Sequence, residues 1–283
     1  MLFVIVAGLL AQPALANQPD PAGPPKVDIL FQQVHPAASD VPVRSDDVRE
    51  AVVLVHGYFP AYSYASARTA RLHGWQKPGS KLVESLGEHG DVYAVGYGQD
   101  APVGEIAQQA ELVGAIEALE AAGYDEITLV GHSAGGLLAR VFVEEHPNSG
   151  VDRVVQVCPA NGGAGLSTFY RVTLAPQEAF VASMTWSERA SSGAFPEDVE
   201  LVSVVCEGGG IGDGVLSDTA QWPQDLRAQG VPMVRLASSH FTPIRSSVGV
   251  TLITELATTS SPRWTQDQVE AALEQDWVSM PTL

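Results

Sequence analysis

Six short valine-rich runs punctuate the chain: AVVLVHG (51–57), DVYAVGYG (91–98), EITLVGHS (126–133), RVVQVCPA (153–160), ELVSVVCEG (200–208) and PMVRLASSH (232–240). They are continuously apolar rather than alternating, which suits strands buried on both faces of a parallel sheet. Helical patterns lie between them. The clearest, residues 104–123, places Ile106, Ala110, Val113, Ile116 and Leu119 near helical spacing and ends on the stop signal Gly123. LLARVFVEEH (137–146) reads as another helix. Repeated strand–helix alternation implies right-handed crossovers, and so an α/β fold with a doubly wound, mostly parallel sheet and helices on both faces.

The rhythm breaks over Asn161–Asp198, which holds Phe169, Tyr170, Phe180, Trp186 and Phe195 but no run of the preceding type. A structureless loop of that length is unusual in a compact domain. The segment is therefore expected to be a small helical cap or lid at the carboxyl ends of the strands, where open α/β sheets bind ligands. At the other end, Leu2–Leu10 is apolar but too short to span a bilayer. Pro13 and Ala14-Leu15-Ala16 follow, then a polar, proline-rich stretch over 17–25. Residues 1–16 thus read as a signal peptide, although no Lys or Arg precedes the apolar run, and 26–283 as one domain, secreted or periplasmic; the alternative is a buried first strand in a cytoplasmic protein. No cysteine stands directly after the expected cleavage point to carry a lipid anchor.

Composition narrows the partners. Among 283 residues, 33 are Asp or Glu and 15 are Lys or Arg, a formal net charge of −18. That balance argues against nucleic acid and against an anionic membrane surface. It leaves a neutral or small-molecule partner, for a chain read as a monomer. The two cysteines are too few for a disulfide scaffold or a Cys-based zinc site. Cys158 and Cys206 each end a strand, where a bridge is geometrically possible, but buried thiols are the first expectation, because parallel neighbours rarely present side chains well for bridging.

The sharpest local signal is Gly131-His132-Ser133-Ala134-Gly135-Gly136. A bare G-x-S-x-G is weak evidence, but this one follows an apolar strand pattern and precedes a helical one, the setting in which a tight turn exposes a serine hydroxyl. Such a hydroxyl needs a general base, usually a histidine held by a carboxylate, and in this topology the order is Ser, acid, His. After Ser133 only His146 and His240 remain. His146 lies about 20 Å along the following helix, which leaves His240, at the end of the last run. The acid is expected in the loop GGIGDGVLSD (209–218), where Asp213 sits between Gly212 and Gly214. Glu207 lies too close to the strand end, and Asp218 reads as a helix N-cap. For a developing oxyanion the donors would be the N–H of Ala134 and one from the loop after the first run, Tyr58 or, as the alternative, Phe59. His56 and His132 are read as structural. Phe59, Phe169 and Tyr170 are the candidate substrate contacts.

With these residues in view the chain resembles the α/β-hydrolase superfamily and, within it, the lipase/esterase branch. The resemblance rests on VLVHGYF (53–59), LVGHSAGGLLAR (129–140), GDGVLS (212–217) and SSHF (238–241), and spans roughly Ala51 to Ala257. It implies Ser133, Asp213 and His240 as a triad, Tyr58 and Ala134 as the oxyanion hole, and cleavage of carboxylic esters, with lipophilic acyl groups the expected substrates. An acyltransferase or thioesterase would use the same triad, and a non-catalytic binding protein could share the fold. No clear counterpart of the family's first two strands appears in 26–50, so a trimmed sheet is expected. No metal cluster or dinucleotide fingerprint is visible in the sequence, so neither metal nor cofactor is implied.

Overall fold

The computed structural model describes residues 26–36, 43–59, 66–163, 175–185, 195–208 and 212–259. The expected signal peptide and proline-rich segment lie outside them. The strands are β1 Ile29–His35, β2 Glu50–Val55, β3 Asp91–Tyr97, β4 Glu126–His132, β5 Arg153–Val157, β6 Glu200–Cys206 and β7 Met233–Leu236. All six valine-rich runs form strands of one sheet, in the order β1-β3-β2-β4-β5-β6-β7. Every pairing is parallel except that of β1 with β3. The helices are α1 Lys81–Gly87, α2 Val103–Ala107, α3 Ala110–Ala121, α4 Ala134–Glu145, α5 Glu178–Ala182, α6 Asp218–Gln221, α7 Gln224–Ala228 and α8 Ser247–Thr258.

The two-residue period of a strand splits these runs between two cores. In β2, Val52 and Leu54 join Leu82, Val83 and Leu86 of α1 and Leu252 and Ile253 of α8. Val53 and Val55 join Ile106 of α2, Ile116 and Leu119 of α3, and Leu137 and Val141 of α4 on the opposite face. At about 25 cal/mol per Å² of apolar surface, filling both faces is what makes continuous valine preferable to alternation here.

Three expectations need correction. A strand does precede β2: ILFQQVH forms an antiparallel edge, with Gln33 bonding both N–H and C=O of Val43. The helical stretch 104–123 is two helices, because Gln109 is extended (φ −65°, ψ 127°). Its side chain accepts the N–H of Val27 and donates to Glu105 O, which compensates the broken helix ladder. The cysteines are also not free: Cys158 and Cys206 form a disulfide across 5.6 Å between their Cα atoms. The expectation assumed strand geometry at both positions, but Cys158 lies one residue past β5 with φ 46°, so its side chain leaves the pleat. In the chain-entropy picture, closing a loop of this length is worth about 4 kcal/mol.

Strand order reverses between β3 and β4, which flank β2 on either side. The carboxyl ends of β2 and β4 therefore meet at the switch point of the sheet, where a crevice forms. Their register pairs Val55 with Gly131, so the segments that follow leave the sheet side by side.

Candidate active site

Ser133 stands alone between β4 and α4 with φ 57° and ψ −124°, a conformation that costs a non-glycine residue about 1–3 kcal/mol. Its backbone is pinned on both sides: Ser133 N–H donates to Val157 O (2.9 Å), and Ser133 O accepts from Gly136 N–H (3.0 Å). The glycines allow the turn to close. A Cβ on Gly131 would lie 2.4 Å from Gly135 O, and one on Gly135 would lie 2.2 Å from Val55 O. Ala134 opens α4, so its N–H has no intrahelical acceptor and belongs to the positive end of the helix.

His240 and Asp213 come to Ser133 from the loops after β7 and β6. His240 Nε2 lies 2.9 Å from Ser133 Oγ, and His240 Nδ1 lies 2.6 Å from Asp213 Oδ2. All three are buried. Asp213 Oδ1 accepts from the N–H groups of Val215 (2.8 Å) and Leu216 (2.7 Å), while His240 N–H donates to Asp213 O (3.0 Å). Gly212 and Gly214 take positive φ, 62° and 90°, in the tight loop that turns the carboxylate inward. Among the rival acids, Glu207 and Asp218 pair with Arg235 instead. Asp218 is also not a cap: Ser217 caps α6 through its hydroxyl, and Asp218 is the first helical residue.

The neighbouring histidines are neutral. Burial, followed by the charge of His240, lowers the pKa of His132 to about 3. Its Nε2 lies 2.8 Å from His240 O. Because a carbonyl only accepts, that nitrogen carries the proton and supports the His240 loop from behind. Burial likewise lowers His56 to about 4, and its Nδ1 donates to Gly57 O at 2.8 Å. These shifts fix a sign for stability. The unfolded chain binds protons at these histidines below about pH 6.5 and the folded chain does not, so their contribution is full above that pH and is lost as pH falls through about 4 and 3. The half-buried carboxylates Glu50 and Asp152, raised mainly by burial, work in the opposite direction. The expected result is a urea midpoint lower at pH 4.5 than at pH 7.5. His132→Asn should show a smaller drop, and an equal drop would remove His132 from the account.

The loop after β2 completes the cluster. A Cβ on Gly57 would lie 2.7 Å from Ser133 Cβ, so only glycine admits this approach. Tyr58 is buried and stacks toward Phe180 of α5 at 6.1 Å. Phe59 is 41% exposed, beside the edge of His73. Phe241, next to His240, is 52% exposed. Phe169 and Tyr170 lie outside the described residues. Of the expected insertion, the described parts include a short 3-10 turn Ala175–Gln177 and α5.

Sequence reasoning passed over the buried amides around these loops. Gln99 and Gln177 bond the Gly57–Phe59 segment. Gln221 brackets Cys206 by accepting its N–H (2.7 Å) and donating to its C=O (3.0 Å), and it donates to Leu216 O (3.3 Å), which also accepts from Asp213 N–H. The available signal was an amide at an otherwise apolar or turn position. Among the described residues, His132, Cys158 and His240 place ligand-type atoms within 4.8 Å of one another. The Cys158 sulfur is in the disulfide and both His240 nitrogens face Ser133 and Asp213, so the group is not arranged to hold a metal.

The sheet order, the strained serine between β4 and α4, and the loops that converge on it define an α/β-hydrolase architecture. Residues 50–233 match the family model described as the alpha/beta hydrolase fold, and the chain belongs to that family. Similar solved structures include the lipase BlEst2 of Bacillus licheniformis in mature form, with a TM-score of 0.57 and 16% identity over 84% of this chain and 100% of that one. Phospholipase PlaB from Legionella pneumophila gives 0.54 and 14% over 78% of this chain and 62% of that one. Aspergillus fumigatus lipase B gives 0.52 and 14% over 82% and 57%. At these identities the likeness is one of fold. No curated protein sequence matches the chain significantly. Among the described residues no helix is long and apolar enough to cross a membrane.

Proposed function

We propose that the protein is a serine hydrolase that cleaves carboxylic esters. The observation that carries this reading is the buried relay from Ser133 Oγ to His240 Nε2 at 2.9 Å and from His240 Nδ1 to Asp213 at 2.6 Å. Asp213 accepts a hydrogen bond from the Nδ1–H, which leaves the Nε2 lone pair facing the hydroxyl. Ser133 attacks the ester carbonyl as His240 takes its proton, and the oxyanion receives the N–H groups of Ala134 and Tyr58. His240 then delivers the proton to the departing alcohol. Water, activated by the same imidazole, releases the acid from the acyl-enzyme. The Asp213 carboxylate balances the imidazolium.

The exposed rings of Phe59, on the loop after β2, and Phe241, beside His240, favour an apolar acyl group, and the excess of carboxylates favours a neutral substrate. The names of two lipases and a phospholipase among the similar folds accord with that choice without defining it. Residues 1–16 are proposed to direct export. The Cys158–Cys206 bridge in the described domain suits an oxidising compartment.

A fluorophosphonate probe should label the wild type and leave Ser133→Ala unlabelled, and p-nitrophenyl esters of graded chain length should be hydrolysed by the wild type. An unlabelled wild type that cleaves no ester would end the proposal. A preference for the shortest esters would end the lipophilic assignment alone.

A further inference from the structure

We infer that Gln99 and Gln177 are positioning residues that lock the peptide between Gly57 and Tyr58 in the orientation that presents the Tyr58 N–H to the oxyanion. This inference rests on the ester-hydrolase reading. In a planar trans peptide the carbonyl of one residue and the N–H of the next point in opposite directions. Whatever holds the Gly57 carbonyl therefore aims the Tyr58 N–H. Two buried side chains hold that carbonyl: Gln99 Nε2 donates to it at 2.9 Å and His56 Nδ1 at 2.8 Å. On the far side of Tyr58, Gln99 Oε1 accepts the N–H of Phe59 at 3.1 Å. One amide thus brackets Tyr58 from both sides, as a neighbouring strand would. The brace sits two residues beyond β3, and Gln99 itself is fixed through its own N–H to Ala67 O (2.6 Å).

An amide bracket works only if the amide cannot turn over, and Gln177 supplies that constraint. Its Nε2 donates to Gln99 Oε1 at 3.0 Å and to Phe59 O at 3.2 Å. Rotating the Gln99 amide by half a turn would place its NH2 against the Phe59 N–H and the Gln177 NH2, and its oxygen against Gly57 O. Both glutamines are fully buried, so no water would repair those mismatches. Gln177 lies in the turn Ala175–Gln177, just before α5, and Phe180 of α5 packs against Tyr58. The segment after β5 thereby enters the reaction at one remove, through the direction of a backbone N–H.

A misdirected oxyanion donor weakens the transition state and leaves substrate binding unchanged, so kcat falls while KM holds. Gln99→Met keeps the length and loses the amide. It is expected to lower kcat for a p-nitrophenyl ester about ten- to a hundredfold per fluorophosphonate-titrated site, with KM within about twofold. Affinity for phenylboronic acid, whose serine adduct carries the same oxygen, should fall by the same factor. Gln177→Met should do likewise, about three- to tenfold. A purely structural role would lower the melting temperature and leave kcat and boronate affinity per titrated site untouched, which would overturn the inference. Should Gln99→Met fail to fold, Gln177→Met and amide exchange of wild-type Phe59 decide. Unchanged kcat in Gln177→Met, or an unprotected Phe59 amide, would also overturn it. A wild type that takes no fluorophosphonate and cleaves no ester would instead remove the ester-hydrolase reading, and this inference with it.

Discussion

His240→Ala is expected to lower kcat for an ester about a millionfold, and Asp213→Asn about ten-thousandfold, the scale at which triads lose base and acid respectively. The second loss follows from hydrogen-bond direction. Asp213 Oδ1 accepts two backbone N–H groups, from Val215 and Leu216. In Asp213→Asn the amide oxygen keeps that position, because an NH2 there would face two donors. The NH2 then replaces Oδ2 opposite His240 Nδ1, 2.6 Å away in the wild type. The imidazole must accept at Nδ1 and carry its proton on Nε2, toward Ser133, where it can no longer take a proton. The variant should fold normally, since the loop bonds are retained. The check is kcat as a function of pH beside a thermal melt. Near-wild-type activity in Asp213→Asn would remove Asp213 from the proposed triad.

Gly135→Ala should have the largest structural effect. The added methyl group would sit 2.2 Å from Val55 O and 2.3 Å from His56 O, backbone atoms at the end of β2. No rotamer relieves such a contact, so α4 and the loop after β2 must separate. Destabilisation of about 3 kcal/mol or more is expected, at the upper end for overpacking, together with loss of activity as Ser133 and Gly57 part. Gly114 supplies the contrast. It lies within α3 and a Cβ there would meet nothing within 4 Å. Gly114→Ala should stabilise by about 0.5–1 kcal/mol through helix propensity alone. Urea titrations of the two variants test both statements, and equal midpoints would contradict the first.

The parts of the fold legible in the sequence were those set by a single physical demand. Strands buried on both faces must be mostly apolar, and β2 to β6 read as valine runs for that reason, while β7, at the other edge, keeps the pattern only in part and exposes Arg235. The turn around Ser133 was legible because close packing of α4 against the ends of β4 and β2 excludes any side chain at Gly131 and Gly135. Elements governed by partners distant in sequence were not. β1 carries glutamines at 32 and 33 because it lies at an edge, and Gln33 satisfies a loop that no periodicity announces. The break at Gln109 depends on Val27, far away in the chain. The disulfide depends on how the chain leaves β5 at Cys158, a backbone property with no composition signal. At the candidate site, histidine, serine and aspartate advertise their chemistry. The buried glutamines near them read as ordinary polar residues until the loops are folded together.

The bridge between Cys158 and Cys206 has a topological consequence. Every residue of the 161–198 segment lies on the covalent ring it closes, between two cysteines 48 positions apart in sequence. A protease that cuts within that ring opens the loop without releasing either half of the molecule. The severed protein would travel as one species on a denaturing gel and separate into two fragments only after reduction. Its two halves would remain tethered at the ends of β5 and β6, beside Ser133 and the loop that carries Asp213.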